Sequence, residues 1–159
     1  MVVALMAAPA SAQQPQPQQA PPPPAPSQAD LKLLQGYTLT LDKLKHFSAA
    51  DKALYDASAK DATLKAEIDK MADEEPQATL ADLQAKLTRH PRVAGFYRKE
   101  GLSDQEAIVI PLATMDALTQ IQTPQVALAS PGQLDFVRQH RAEIEPMVQE
   151  WSKEENDDD

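Results

Sequence analysis

Apolar side chains recur at intervals of three and four residues along most of this chain, and this spacing constrains the fold more than any other feature. Leu64, Ile68 and Met71, for example, fall at i, i+4 and i+7. No stretch of useful length alternates apolar and polar residues as a half-buried strand does. Four glycines and few aromatic residues (one Trp, three Tyr, three Phe) also favour helix. The sequence therefore predicts an all-α protein.

Residues with strong capping preferences mark the ends of the predicted helices. Ser103 and Glu106 have the spacing of a capping box, and Ser130 and Gln133 repeat it. Gly101 is suited to the left-handed conformation that ends many helices. These signals predict a small single-domain bundle of about five or six short helices.

Two of the predicted helices contain interior prolines, Pro111 and Pro146. An interior proline removes one backbone hydrogen bond, kinks the axis and costs about 3 kcal/mol unless packing compensates. The second proline lies in a final helix that is expected to begin at Pro131 and to run through Leu134, Ile144 and Trp151. Kinks of this kind could open a cavity between helices.

The apolar positions of the last two long helices form two stripes. Ile108, Leu112 and Met115 line one helix, and the terminal helix carries Val137, Ile144, Val148 and Trp151. Amphipathic helices this short are marginal in water by themselves, so each stripe is expected to be buried against a partner. Trp151 is expected to anchor the terminal helix to the core.

Residues 1–12, MVVALMAAPASA, are interpreted as a signal peptide. A short apolar run is followed by Ala10-Ser11-Ala12, the small-x-small pattern that a signal peptidase accepts. No Lys or Arg precedes the apolar run, so either the signal is atypical or the true start lies upstream of Met1. The run is too short to span a bilayer, which takes about 20 apolar residues. We therefore expect a periplasmic or secreted protein with no transmembrane segment after cleavage.

Composition divides the rest of the chain into three parts. Residues 13–34 are rich in proline and glutamine and are predicted to be a disordered spacer. Residues 35–152 are predicted to form the helical domain. Residues 153–159, KEENDDD, are predicted to be an acidic disordered tail.

Charge and cysteine content exclude several classes of function. Of the formal charge of −9, the tail carries −4 and residues 30–152 carry the remaining −5. This balance does not supply the cationic surface that binding to a phosphate backbone requires, so nucleic acid is not an expected partner. The chain has no cysteine, and therefore has neither disulfides nor thiolate chemistry.

The residues that could carry catalysis or bind metal are few. His46, His90 and His140 show no metal-ligand spacing on one helix, and each is assigned a structural or surface role. A cationic cluster at Arg89, Arg92, Arg98 and Lys99 could hold an anionic ligand, but a solvated helical face is the preferred interpretation. We predict no catalytic, cofactor-binding or metal-binding residue and no cofactor.

Three segments carry a resemblance to other proteins: residues 37–40 (YTLT), 101–106 (GLSDQE) and 130–137 (SPGQLDFV). They resemble a loose group of small secreted helical proteins from environmental bacteria. That group combines a Tyr-x-Leu-Thr start, a Gly-Leu-Thr/Ser-x-x-Glu turn and a late Pro-x-Asn-x-x-Phe helix start. Gln133 stands where the pattern has Asn. The resemblance covers residues 35–152 and implies a helical fold, but no activity.

Three functions follow as hypotheses. The first is an exported, non-enzymatic helical module that contacts another protein or an envelope component. The alternative is a periplasmic bundle that binds a small molecule, in a cavity opened by the two proline kinks. An exposed apolar patch larger than roughly a few hundred Å² would favour the first, and a buried apolar pocket with convergent polar groups would favour the second. An enzyme is a third and weaker hypothesis.

Overall fold

A computed structural model describes residues 27–74, 79–125 and 127–154, with side chains as far as residue 151. Across these residues the protein forms eight α-helices and no strand. The helices are α1 (Gln28–Gly36), α2 (Leu41–Ser58), α3 (Ala62–Asp73), α4 (Leu80–Arg89), α5 (Pro91–Lys99), α6 (Asp104–Gln122), α7 (Pro131–Gln139) and α8 (Arg141–Glu154). The all-α prediction is confirmed, and the predicted number of five or six helices is too low.

One additional helix, α1, lies where a spacer was predicted. The Ser27 side chain caps it by accepting from the backbone N–H of Asp30, and Leu34 is buried in the core. Residues 28–34 are therefore helical, contrary to the predicted spacer of 13–34. The predicted signal peptide and residues 13–26 of that spacer lie outside the described residues, as do residues 155–159 of the predicted tail. Residues 153–154, which were predicted to belong to the disordered tail, are the last two residues of α8.

The other additional helix arises because the predicted terminal helix is broken at His140. The backbone there leaves the helical region, at φ −109° and ψ 20°. The His140 N–H still bonds to the Phe136 carbonyl oxygen, and its own carbonyl oxygen accepts from the N–H of Glu143 and of Ile144. The break lets α7 pack against α6 while α8 packs against α2.

The capping predictions are confirmed. Both capping boxes are complete, with reciprocal bonds between Ser103 and Glu106 and between Ser130 and Gln133. Gly101 has φ +76°, the left-handed conformation for which glycine is suited. These local signals set the direction in which α6 and α7 leave their preceding turns.

The longest helix, α6, lies at the centre of the bundle and contacts α1, α2, α4, α5 and α7. Pro111 lies inside it, as predicted. Its buried residues are Ala107, Val109, Ile110, Ala113, Thr114, Ala117 and Leu118. The predicted buried stripe is wrong for this helix, because Leu112 is 37% exposed and Met115 is 43% exposed. A helix that is apolar on nearly all sides has no unique stripe, so spacing alone does not show which face stays open.

Trp151 packs against α2, and its ring is half-buried. Its indole N–H donates to the Ser48 hydroxyl at 3.0 Å, and the ring meets Phe47 edge-on with 4.9 Å between centroids. Phe47 in turn stacks on Tyr97 at 5.5 Å. Trp151 therefore anchors the terminal helix to the core as expected, although the helix it reaches is α2.

Candidate functional site

The three histidines lie on different parts of the bundle and do not form a common site. His46 faces Glu100 at 3.4 Å on the surface, and His140 lies 3.7 Å from Glu143. Over the described ranges, no group of three or more His, Cys, Asp or Glu side chains is arranged to hold a metal ion.

His90 is buried between carboxylates at the junction of α4 and α5. Its Nε2 lies 3.0 Å from a Glu74 carboxylate oxygen, and its Nδ1 lies 3.7 Å from Glu67. Arg89 donates to the other Glu74 oxygen at 2.9 Å. The hydrogen bond with His90, followed by that from Arg89, lowers the pKa of Glu74 to about 2. Because these contacts join the end of α3 to the α4–α5 corner, the arrangement is a structural clamp.

The predicted cationic cluster is largely neutralised by carboxylates. Arg89 pairs with Glu74, Arg92 with Asp61, and Arg98 with Asp104. The three guanidinium groups are therefore already engaged and do not form an open anion site. Lys99 differs, because it makes no ion pair with any residue the structure describes. Its ammonium nitrogen lies 5.2 Å from the centre of the Phe96 ring.

A groove of about 380 Å³ runs alongside α5, and we call it the α5 groove. It is lined by Ala57, Asp61, Leu64, Pro91, Arg92, Gly95, Phe96 and Lys99. Gly95 lies within α5, where glycine costs about 0.5–1 kcal/mol relative to alanine. A Cβ added there would meet no atom within 4 Å, so packing inside the protein does not explain the glycine.

A second, smaller cavity of about 230 Å³ lies among α1, α4 and α6. Leu33, Leu80, Ile108 and Val109 supply much of its apolar lining. Beside it, an Asp30 carboxylate oxygen accepts from the backbone N–H at the start of α4, at 3.2 Å. Neither this cavity nor the α5 groove is lined by an interior proline, so neither is the kink cavity that the sequence suggested.

Exposed apolar side chains continue from this cavity along α6. Leu112 and Met115 are exposed, and the partly buried Ile108 precedes them at i, i+4 and i+7, so all three share one face of the helix. Leu33 of α1, 37% exposed, lines the same cavity as Ile108. We call these four residues the α6 strip.

Asp116 lies at the edge of the α6 strip, one turn beyond Leu112. Its carboxylate is half-buried and makes no hydrogen bond or ion pair with any residue the structure describes. Burial raises its pKa above the ordinary value of an aspartate. An uncompensated acidic group thus borders the apolar surface of the α6 strip.

The sequence analysis grouped Ile108, Leu112 and Met115 as one stripe but predicted that it is buried, although one signal for its exposure was present. Asp116 is the only charged residue of α6 beyond its first turn. A lone charge in an otherwise apolar helix indicates which face can reach solvent, because unpaired charges are rarely buried. That signal becomes informative once the buried face is known.

Comparison with known proteins identifies no relative. No protein-family model, curated protein or solved structure matches the chain. Within the described parts of the chain, no helix is both long enough and apolar enough to cross a membrane.

Proposed function

We propose that this protein is an exported, non-enzymatic helical module that binds another protein through the α6 strip. The observation that carries the proposal is the exposure of Leu112 and Met115 on a helix that is otherwise at the centre of the core. Large apolar side chains gathered on one exposed face are typical of contact surfaces. An adjoining apolar cavity gives such a partner a place to insert a side chain.

The apolar residues of the α6 strip and the neighbouring Asp116 indicate what kind of partner segment would bind there. A row of apolar residues at helical spacing suits an amphipathic segment laid along it. Asp116 adds a carboxylate that burial by an apolar partner would leave uncompensated. The expected occupant is therefore a cationic amphipathic segment of a partner protein, with a Lys or Arg opposite Asp116.

The test uses synthetic helical peptides of matched design, one built from leucine and lysine and the other from leucine and glutamate. The lysine peptide is expected to bind, and Leu112→Gln combined with Met115→Gln is expected to weaken it about tenfold, or about 1.4 kcal/mol. Asp116→Asn should weaken it several-fold. Asp69→Asn, the same charge change on α3, is the control and should leave binding unchanged. Equal binding of both peptides, or equal effects of the two aspartate variants, would refute the proposal.

Export is the second part of the proposal and is supported by the apolar run and small-x-small pattern of residues 1–12. A periplasmic or secreted location would bring the α6 strip into contact with envelope or extracellular proteins. Mass spectrometry of material that co-purifies from the native envelope would identify the partner. Its recovery should be lost with the Leu112→Gln and Met115→Gln variant.

Binding of a small molecule is the second candidate function. The α5 groove favours it, because the groove combines apolar lining with charged groups at its edge. The α5 groove and the α6 strip lie in different parts of the fold. The two functions are therefore independent, and both are compatible with one protein.

A further inference from the structure

From the α5 groove we infer a site for a small organic anion with a flat, apolar body, such as an aromatic carboxylate. The inference deepens the second candidate function and does not depend on the α6 strip. In this site the ring of the ligand lies against Phe96 above Gly95, and its anionic group meets Lys99.

The size and lining of the α5 groove suit a small molecule. A volume of about 380 Å³ is within the range of small-molecule sites, roughly 300–1,000 Å³. Leu64, Pro91 and Phe96 provide apolar contact, and the charged groups that line it come from α5 and the start of α3. An apolar lining with a few polar groups is typical of sites that bind and orient a ligand.

Gly95 lines the α5 groove and places no side chain in it. Alanine would favour the α5 helix and would meet nothing within 4 Å, so the fold has no steric need for glycine there. Its backbone conformation is not left-handed either, since Gly101 alone has a positive φ among the described residues. A glycine at this position lets a ligand approach the helix backbone closely.

The charges of the α5 groove select an anion with a single negative charge. Asp61 and Arg92 pair with each other and cancel. Lys99 remains, and its ammonium group lies over the Phe96 ring. One molecule with an aromatic ring and a carboxylate can therefore contact the apolar lining and pair with Lys99 at the same time.

The test measures binding of 2-naphthoate and of uncharged 2-naphthamide to the full chain by calorimetry. Naphthoate is expected to bind at least tenfold more tightly than the amide. Lys99→Gln should remove that difference by weakening naphthoate alone, while Lys52→Gln, on α2 and paired with Asp56, should change nothing. Gly95→Leu should abolish binding of both compounds, because its side chain occupies the groove.

Stability measurements separate occlusion of the groove from damage to the fold. Gly95→Ala should raise Tm by about 2–5 °C while weakening naphthoate. Gly132→Ala, at another helical glycine with open space around it, should leave naphthoate binding unchanged. The inference is overturned if naphthoate does not bind, if the amide binds equally well, or if Gly95→Leu leaves binding intact. It is also overturned if the Leu112→Gln and Met115→Gln variant removes naphthoate binding, because the probe would then occupy the α6 strip.

Discussion

The side-chain amide of Gln133 donates a hydrogen bond of 2.7 Å to the carbonyl oxygen of Leu34, ninety-nine residues earlier in the chain. The same nitrogen donates to the Tyr37 carbonyl oxygen at 2.9 Å. The amide oxygen accepts from the backbone N–H of Ser130 and so completes the capping box of α7. One buried side chain thus begins α7 and holds the end of α1. This explains why a side chain longer than asparagine is useful at this position.

Removing this amide is expected to destabilise the protein. Gln133→Ala leaves the buried Leu34 carbonyl oxygen without this donor and should cost about 2–3 kcal/mol of unfolding free energy. Gln133→Asn should recover only part of that loss, because its side chain is one methylene shorter. Urea denaturation measures both, with Gln139→Ala on the exposed face of α7 as the control. A cost for Gln133→Ala no greater than that of the control would contradict this role.

Acid should weaken the clamp at His90. The folded protein lowers the pKa of Glu74 from its ordinary 4.5 to about 2. A lowered pKa stabilises the fold above pH 4.5, and that stabilisation is lost as the pH falls from about 4.5 towards 2. Glu74→Gln should therefore lower Tm at pH 7 and make Tm less dependent on pH between those values. Thermal unfolding across this range tests the prediction, which fails if the variant and the native chain have parallel pH profiles.

Trp151 should contribute to stability through its ring more than through its N–H. Trp151→Ala is expected to cost about 2–3 kcal/mol, somewhat below the range for a fully buried tryptophan because the ring is half-buried. Trp151→Phe should cost about 1 kcal/mol, since it keeps an aromatic contact with Phe47 and loses the bond to Ser48. Deletion of residues 155–159 should have almost no effect. An unchanged denaturation midpoint for Trp151→Ala would refute the anchoring role.

The two faces of α6 should respond differently to truncation. Ile110→Ala is expected to cost about 2–5 kcal/mol, because Ile110 is fully buried. Leu112→Ala should cost less than about 1 kcal/mol, since Leu112 is exposed and alanine favours helix. Chemical denaturation of the two variants compares the faces directly. Similar losses from both would mean that the α6 strip belongs to the core.

Processing provides a test of export. If residues 1–12 are a signal peptide, the mature amino terminus is Gln13. Terminal sequencing of protein from the periplasm or the medium measures this. Exported protein that still begins with Met1 would refute the assignment.

Features that depend on neighbouring residues could be predicted from the amino-acid sequence. Helical periodicity predicted the all-α class, and the capping boxes at Ser103 and Ser130 begin α6 and α7 as predicted. Gly101 ends its helix in the left-handed conformation. These features can be predicted from the sequence because each depends on contacts within about four residues.

Other features depend on distant parts of the chain and follow only from the way the helices pack. Residues 28–34 are helical and dock against α6, and His140 separates two helices that pack on different partners. Local preference does not specify either outcome, because burial of Leu34 and Ile144 depends on which surfaces meet across the bundle.

The candidate sites were likewise decided by packing. Leu112 and Val109 are both apolar residues of one helix, and only the arrangement of the surrounding helices exposes the first and buries the second. The sequence contains the side chains of the α6 strip and of the α5 groove, but these surfaces exist because α6 and α5 are covered on some faces and left open on others. Hydrophobic burial is non-directional. The apolar pattern of α6 therefore indicates that some face of the helix must be covered, but it does not indicate which face.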